Sequence, residues 1–119
     1  MEWQRIIGGL SGAMSVGMGA YGAHGFRNKD EIYKNVFETG SRYQLIHSAI
    51  LVATPAICGG SSASRAAQIA GACFTAGIGL FSGSCYAVGL NEDRSYGKLA
   101  PIGGFSLMGG WLALALLRR

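Results

Sequence analysis

The sequence predicts an all-α fold. It reads as an integral-membrane bundle of four transmembrane helices, with a short amphipathic interfacial helix between helices 1 and 2. Three observations point there. Four long stretches, Ile6 to Ala23, Tyr43 to Ser64, Ala66 to Asn91 and Leu99 to Leu117, contain no Asp, Glu, Lys or Arg. At about 1.5 Å of rise per residue each approaches or exceeds the ~30 Å hydrocarbon thickness of a bilayer. Charged residues make up 13% of the 119-residue chain, against about 25% in soluble domains, and all lie in the gaps. The stretches are also dense in glycine and alanine, which in a bilayer let helix backbones approach closely.

Helix 1 is expected over about 6–25. Trp3 and Arg5 precede it, an interfacial aromatic and a cation where headgroups would sit. Gly8 and Gly12, and Gly9, Ala13 and Gly17, recur at four-residue spacing and are read as packing positions. The run exceeds the h-region of a signal peptide and three apolar spans follow, so helix 1 is expected to be retained. An interfacial helix is expected over about 30–39. Ile32, Tyr33, Val36 and Phe37 share one face there, Asn28 or Asp30 can cap its start, and Gly40 can end it.

Helix 2 is expected over about 41–59, with Pro55 ending or kinking it and Gly59-Gly60-Ser61-Ser62 as a turn. Helix 3, over 65–90, carries Ala67, Gly71, Thr75, Gly79, Gly83 and Ala87 as a row at four-residue spacing, read as one groove along its length. Helix 4, over 99–117, has Pro101 in its first turn and packing candidates at Gly103 and Gly104.

Four passes place both termini and the Arg65 turn on one side, side A. The Arg27 to Arg42 segment and the Glu92 to Lys98 loop then lie on side B. Six Lys and Arg on side B against four on side A lean weakly toward side B facing the cytoplasm or mitochondrial matrix. The ten cations are scattered over five segments, so the net charge of +4 fits a lipid surface rather than nucleic acid. Cys58, Cys73 and Cys85 lack metal or redox spacing and read as buried small residues.

This threading brings His24, Tyr43, Gln44, His47, Ser82, Ser84 and Tyr86 toward side B as a candidate polar cluster. Two histidines at one depth could share a proton, bind a metal or hold a headgroup, or could simply be hydrogen-bonded within the bundle. Cys85 is the single further candidate ligand, which is too few for zinc. No nucleophile with a base and an orienting carboxylate stands out, and no glycine-rich phosphate cradle is present. Neither enzymatic activity nor a cofactor or metal is expected.

The strings Gly19-Ala20-Tyr21-Gly22-Ala23-His24-Gly25, Tyr43-Gln44-Leu45-Ile46-His47-Ser48, Leu80-Phe81-Ser82-Gly83-Ser84-Cys85-Tyr86 and Ala100-Pro101-Ile102-Gly103-Gly104, then Gly110-Trp111-Leu112-Ala113-Leu114-Ala115, carry a resemblance. They resemble the family of small four-helix membrane proteins that includes transmembrane protein 256, with bacterial members filed as a domain of unknown function. The resemblance implies the topology and no activity, substrate or catalytic residue. It points to the mitochondrial inner membrane, with a bacterial plasma membrane as the alternative. The expected function is that of a non-catalytic accessory subunit in a larger membrane assembly, the respiratory chain being one candidate, or of a homo-oligomer. The competing class is a small transporter, or a lipid- or proton-handling protein, working through His24 and His47.

Overall fold

The computed structural model describes residues 2–26 and 28–116. Arg27, Leu117 and the terminal Arg118 and Arg119, which figure in the charge and span expectations above, lie outside the described residues. The elements are α1 (Trp3–Gly25), α2 (Glu31–Ile57), α3 (Arg65–Gly77), a π-helical turn (Ile78–Ser82), α4 (Gly83–Asn91), a 3-10 turn (Arg94–Gly97) and α5 (Ala100–Ala115). Among the described residues there is no strand, and one continuous helix, Arg65–Asn91, is long and apolar enough to cross a membrane. Helix α1 is diluted by glycine, α2 carries charge in its first half, and α5 is 16 residues long.

The separate interfacial helix is not formed. Residues 31–57 make a single 27-residue helix that runs through Gly40. One glycine weakens a helix by only about 1 kcal/mol, and close packing offsets that cost here. A Cβ on Gly40 would lie 2.7 Å from Cys85 Cβ and 3.1 Å from Tyr86 Cε1, so the missing side chain lets α4 settle against α2. Of the apolar face of the predicted interfacial helix, Phe37 turns fully inward against Phe26 and Tyr86 at ring separations of 4.5 and 4.9 Å, while Ile32 stays exposed.

Pro55 sits in the last turn of α2. The chain then reverses through Gly59 and Gly60, whose φ values of +94° and +92° are open to glycine at little cost. Ser64 caps α3, its hydroxyl accepting from Ala67 N at 3.2 Å. Pro101 falls in the first turn of α5, where its missing N–H leaves no bond unmade. Helix α4 closes with Glu92 in the left-handed region (φ 50°) and Asp93 N donating to Val88 O at 3.3 Å.

Helices α1 and α2 pack antiparallel along their lengths, α2 packs on α4, and α3 packs on α5. The π turn governs this exchange of partners. A π turn takes up one residue more than an α turn, so the four-residue row of helix 3 leaves its face at this point. Ala67 and Gly71 are buried, but past the turn the buried positions are Ser84 and Val88, while Gly79 and Gly83 stand in the open. The expected single groove along helix 3 is therefore broken. Two cores result. Leu51, Ala70, Phe74 and Leu107 form one at the α3–α5 half, and Phe26, Phe37 and Tyr86 form the other at the α1–α2–α4 half.

At the side A end, Trp3 Nε1 donates to Gln68 Oε1 (3.1 Å), and Gln4 Nε2 donates to Ser62 O (3.0 Å) and Ala67 O (3.3 Å). These bonds tie the start of α1 to the α2–α3 turn. At the opposite end Lys29 Nζ donates to Gly89 O (3.3 Å) and Leu90 O (3.1 Å) and lies 4.8 Å from the Phe26 ring centre. A cation on the last carbonyls of α4 matches the negative end of the helix dipole. In the next loop Asp93 accepts from Ser95 N at 2.9 Å, and that backbone bond, with one from the Ser95 hydroxyl, holds its carboxyl below the usual range.

Candidate functional site

In the second half of α2 the polar residues Gln44, His47, Ser48 and Thr54 point into the bundle, while Leu45, Ile46 and Val52 lie on its outer faces. Gln44, 3% exposed, is the centre of the resulting network. Its Nε2 donates to both the carbonyl and the hydroxyl of Ser11, each at 3.1 Å, and its Oε1 accepts from the Tyr86 hydroxyl. One turn on, Ser48 Oγ donates to Ser11 Oγ at 2.7 Å. A single amide thus fastens α1, α2 and α4 together. Ser82 Oγ donates to Gly40 O at 2.7 Å, spanning the π turn and α2, while Ser84 Oγ bonds back to Leu80 O within its own helix.

His47 is fastened separately, toward α5. Trp111 Nε1 donates to its Nε2 at 3.0 Å, which makes Nε2 an acceptor and leaves the ring proton on Nδ1, 2.6 Å from Tyr43 O. Tyr43, Phe74 and Trp111 surround the ring at centroid separations of 5.8, 6.0 and 5.8 Å. Both nitrogens are occupied, so no free lone pair faces outward for a ligand.

The two histidines do not meet. His24 is exposed near the end of α1, whereas His47 stands at the level of Ser11, thirteen residues or about 20 Å away along α1. The reason is the fused α2: a helix beginning at 41 places His47 at the membrane entrance, but one beginning at Glu31 carries it to mid-bundle. Gln44, Ser82 and Tyr86 come together, Tyr43 and His47 form a second group with Trp111, and Ser84 and His24 stand apart. Ser11, Ser48 and Trp111 were missed by the sequence reading. Ser48, four residues from Gln44 on an otherwise apolar helix, was the available signal. Among the described residues no three His, Cys, Asp or Glu side chains gather into a metal-holding group.

The packing glycines divide in the same way. A Cβ on Gly8 would meet Val52 at 2.7 Å, one on Gly71 would meet Gln4 at 2.8 Å, and one on Gly103 would collide with the Phe81 backbone. Gly12 and Gly104 have only ordinary contacts beside them, and Gly17, Gly79 and Gly83 have no atom within 4 Å. These three do not pack inside the protomer. Gly22, Gly40, Gly77, Gly89 and Gly110 do, and were not expected from the sequence as packing positions.

Where α1 and the π turn diverge, a groove of about 390 Å³ opens to the side of the bundle. Ile7, Leu10, Met14 and Ile78 give it apolar walls, Gly79 and Gly83 widen it, and Gln44 and Tyr86 reach it from within. Residues 18–104 match the family described as protein of unknown function (DUF423). The chain belongs to the DUF423 family.

Similar curated proteins include the UPF0382 membrane protein SSP2132 of Staphylococcus saprophyticus, 39% identical over 93% of this chain and 92% of its own length. The UPF0382 membrane protein SH2409 of Staphylococcus haemolyticus is 38% identical over 93% and 90%. The UPF0382 membrane protein YwdK of Bacillus subtilis is 31% identical over 93% and 91%. No solved structure matches. The DUF423 chain is thus a membrane protein of a family without an assigned function, in keeping with the resemblance noted above. These relatives are bacterial, and nothing in them supports the mitochondrial placement.

Proposed function

We propose that this DUF423 protein is a four-span, non-catalytic component of a bacterial plasma membrane that acts by packing into a larger membrane assembly. The observation that carries this reading is the closure of the buried polar cluster. Gln44, Ser48, Ser82, Tyr86, His47 and Trp111 each already bond to another part of the chain. Such groups hold helices together and leave little to bind or turn over a substrate. A second observation supports association. Gly17, Gly79 and Gly83 present bare backbone on outward surfaces that no helix of the protomer uses, and bare backbone is what a neighbouring transmembrane helix packs on.

The lipid-handling alternative has one observation in its favour, the lateral groove beside Gly79 and Gly83. The proton-handling alternative has no such observation, since His24 and His47 stand far apart.

Membranes extracted in mild detergent, separated on a native gel and followed by mass spectrometry, test the proposal. Comigration with one large complex, lost in Gly79→Leu and Gly83→Leu while the protein stays folded, is the expected result, with respiratory complexes the first to examine. Migration as a free monomer or small homo-oligomer refutes it. A lipid that copurifies stoichiometrically and is displaced by Gly79→Leu would favour lipid handling instead.

A further inference from the structure

The four helical passes are unequal, and α1 serves as a ruler for their levels. Gly8 lies against Val52, Ser11 bonds Gln44, Gly19 faces Ser41 at 3.7 Å and Gly22 abuts Phe37. Arg42 is therefore level with about residue 17 of α1, and Glu38 lies a turn nearer side B. On the other flank Gly110 abuts Phe74, Gly77 abuts Leu107 and Gly103 abuts Phe81, while Ser82 bonds Gly40. The first turn of α5, preceded by Lys98, thus begins at the level of Arg42. Three helices continue past this level toward side B and the fourth does not.

The surface changes character at that level. Below it the large exposed side chains are apolar, among them Leu10 (69% exposed), Phe105 (68%), Leu112 (60%), Ile102, Leu45 and Ile46. Above it charged and amide side chains join the surface, with Asn28, Glu31, Asn35, Glu38, Glu92 and Arg94 exposed beside Tyr21, Ile32, Leu90 and Tyr96, while Phe26 and Phe37 are fully hidden and Tyr86 nearly so. An apolar exterior around a small-residue and polar interior is the pattern of a segment solvated by lipid. An exterior that carries charge around an aromatic core is the pattern of a segment solvated by water. The molecule shows the first in its α5 half and the second in its α4 half. Between Arg65 and Ser82, which bonds Gly40 near the level of Arg42, the third helix covers about 17 residues, roughly 26 Å, close to the ~30 Å hydrocarbon thickness of a bilayer, and the molecule is 50 Å long.

We propose that the bilayer on side B ends at the level of Arg42 and Lys98. The ends of α1, α2 and α4 beyond it form a water-exposed three-helix head around Phe26, Phe37 and Tyr86. The inference rests on the four-span reading above and moves the side B boundary inward by about two turns on α1 and on α4. Arg42 and Lys98, both exposed, reach the phosphates of the lipid headgroups, as long cationic side chains do at membrane boundaries. The head is pinned by Lys29 on the end of α4.

Single cysteines at exposed positions of α2 test the boundary. Asn35→Cys and Glu38→Cys lie above it, and Leu45→Cys and Ala49→Cys below it. Each variant is reconstituted in phospholipid vesicles opened by freeze–thaw and labelled with a membrane-impermeant maleimide, with the unsubstituted protein as the blank for Cys58, Cys73 and Cys85. Asn35→Cys and Glu38→Cys are expected to react at least about tenfold faster than Leu45→Cys and Ala49→Cys, because a thiol in hydrocarbon neither ionises nor meets the reagent. Equally slow labelling at all four positions overturns the head, placing it within the bilayer. Equally fast labelling at all four overturns the four-span reading itself. Labelling in detergent above the micelle concentration confirms that each cysteine is reachable when lipid is removed.

Discussion

Replacing Tyr86 by Phe removes one hydroxyl and leaves the ring packing intact. Gln44, 3% exposed, then loses the donor to its Oε1, because its Nε2 remains committed to Ser11 and the amide cannot turn to find water. A buried acceptor left unpaired costs about 1–3 kcal/mol in soluble proteins. Side-chain bonds between transmembrane helices average about 0.6 and reach about 1.7 kcal/mol. With Tyr86 7% exposed on the head side of the bundle, a loss of about 1–2 kcal/mol is expected. Gln44→Leu alone removes the same bond together with those to Ser11 and should cost more. The double variant should cost less than the two single losses added together, since once both partners are apolar nothing is left unpaired. Reversible unfolding of the four proteins in mixed micelles, followed by circular dichroism, gives the coupling energy directly. Additivity within about 0.3–0.5 kcal/mol would refute the assignment of Gln44 as the group that ties α1, α2 and α4 together.

Gly103→Ala forces a Cβ into the Phe81 backbone and should lower stability by about 1–3 kcal/mol. Gly79→Ala, with open space at the same test point, should be neutral or stabilising by up to about 1 kcal/mol, and thermal unfolding in detergent measures both. Lys29→Met strips the cation from Gly89 O and Leu90 O. It should cost about 0.3–1 kcal/mol and speed hydrogen exchange in the last turn of α4 ahead of the rest of the chain. Trp111→Phe keeps an aromatic beside Phe74 and His47 but removes the donor to Nε2. The expected loss is about 1 kcal/mol, with a shift of the His47 ring nitrogen signals in NMR.

What was legible in the sequence was whatever depends on one helix at a time. The charge-free runs marked helical segments because charges are expelled from helix faces that lipid or other helices cover. Pro101 and the Gly59-Gly60 turn stand where local chemistry put them. What depends on two helices at once was not legible. Gly40 looked like a stop because a helix alone gains nothing from it, whereas α4 packed on α2 does. That one difference moved His47 away from His24 and split the expected cluster. Gln44 and Tyr86 could be picked out as polar residues in apolar sequence, but their pairing rests on a helix register that spacing does not contain.

The π turn at Ile78–Ser82 bears on how this helix tolerates changes in length. In a regular α-helix, removing one residue turns everything beyond it by about 100° and presents the wrong side chains to every neighbour. Here the surplus residue is already absorbed in a local bulge. A deletion within 78–82 would close that bulge into ordinary α-helix and leave α3 on α5 and α4 on α2. The same deletion at Ala72 or Ala87 would misalign one of the two packed halves. Among proteins of this kind, a single-residue deletion inside this helix should survive at this short stretch and be lost elsewhere along it.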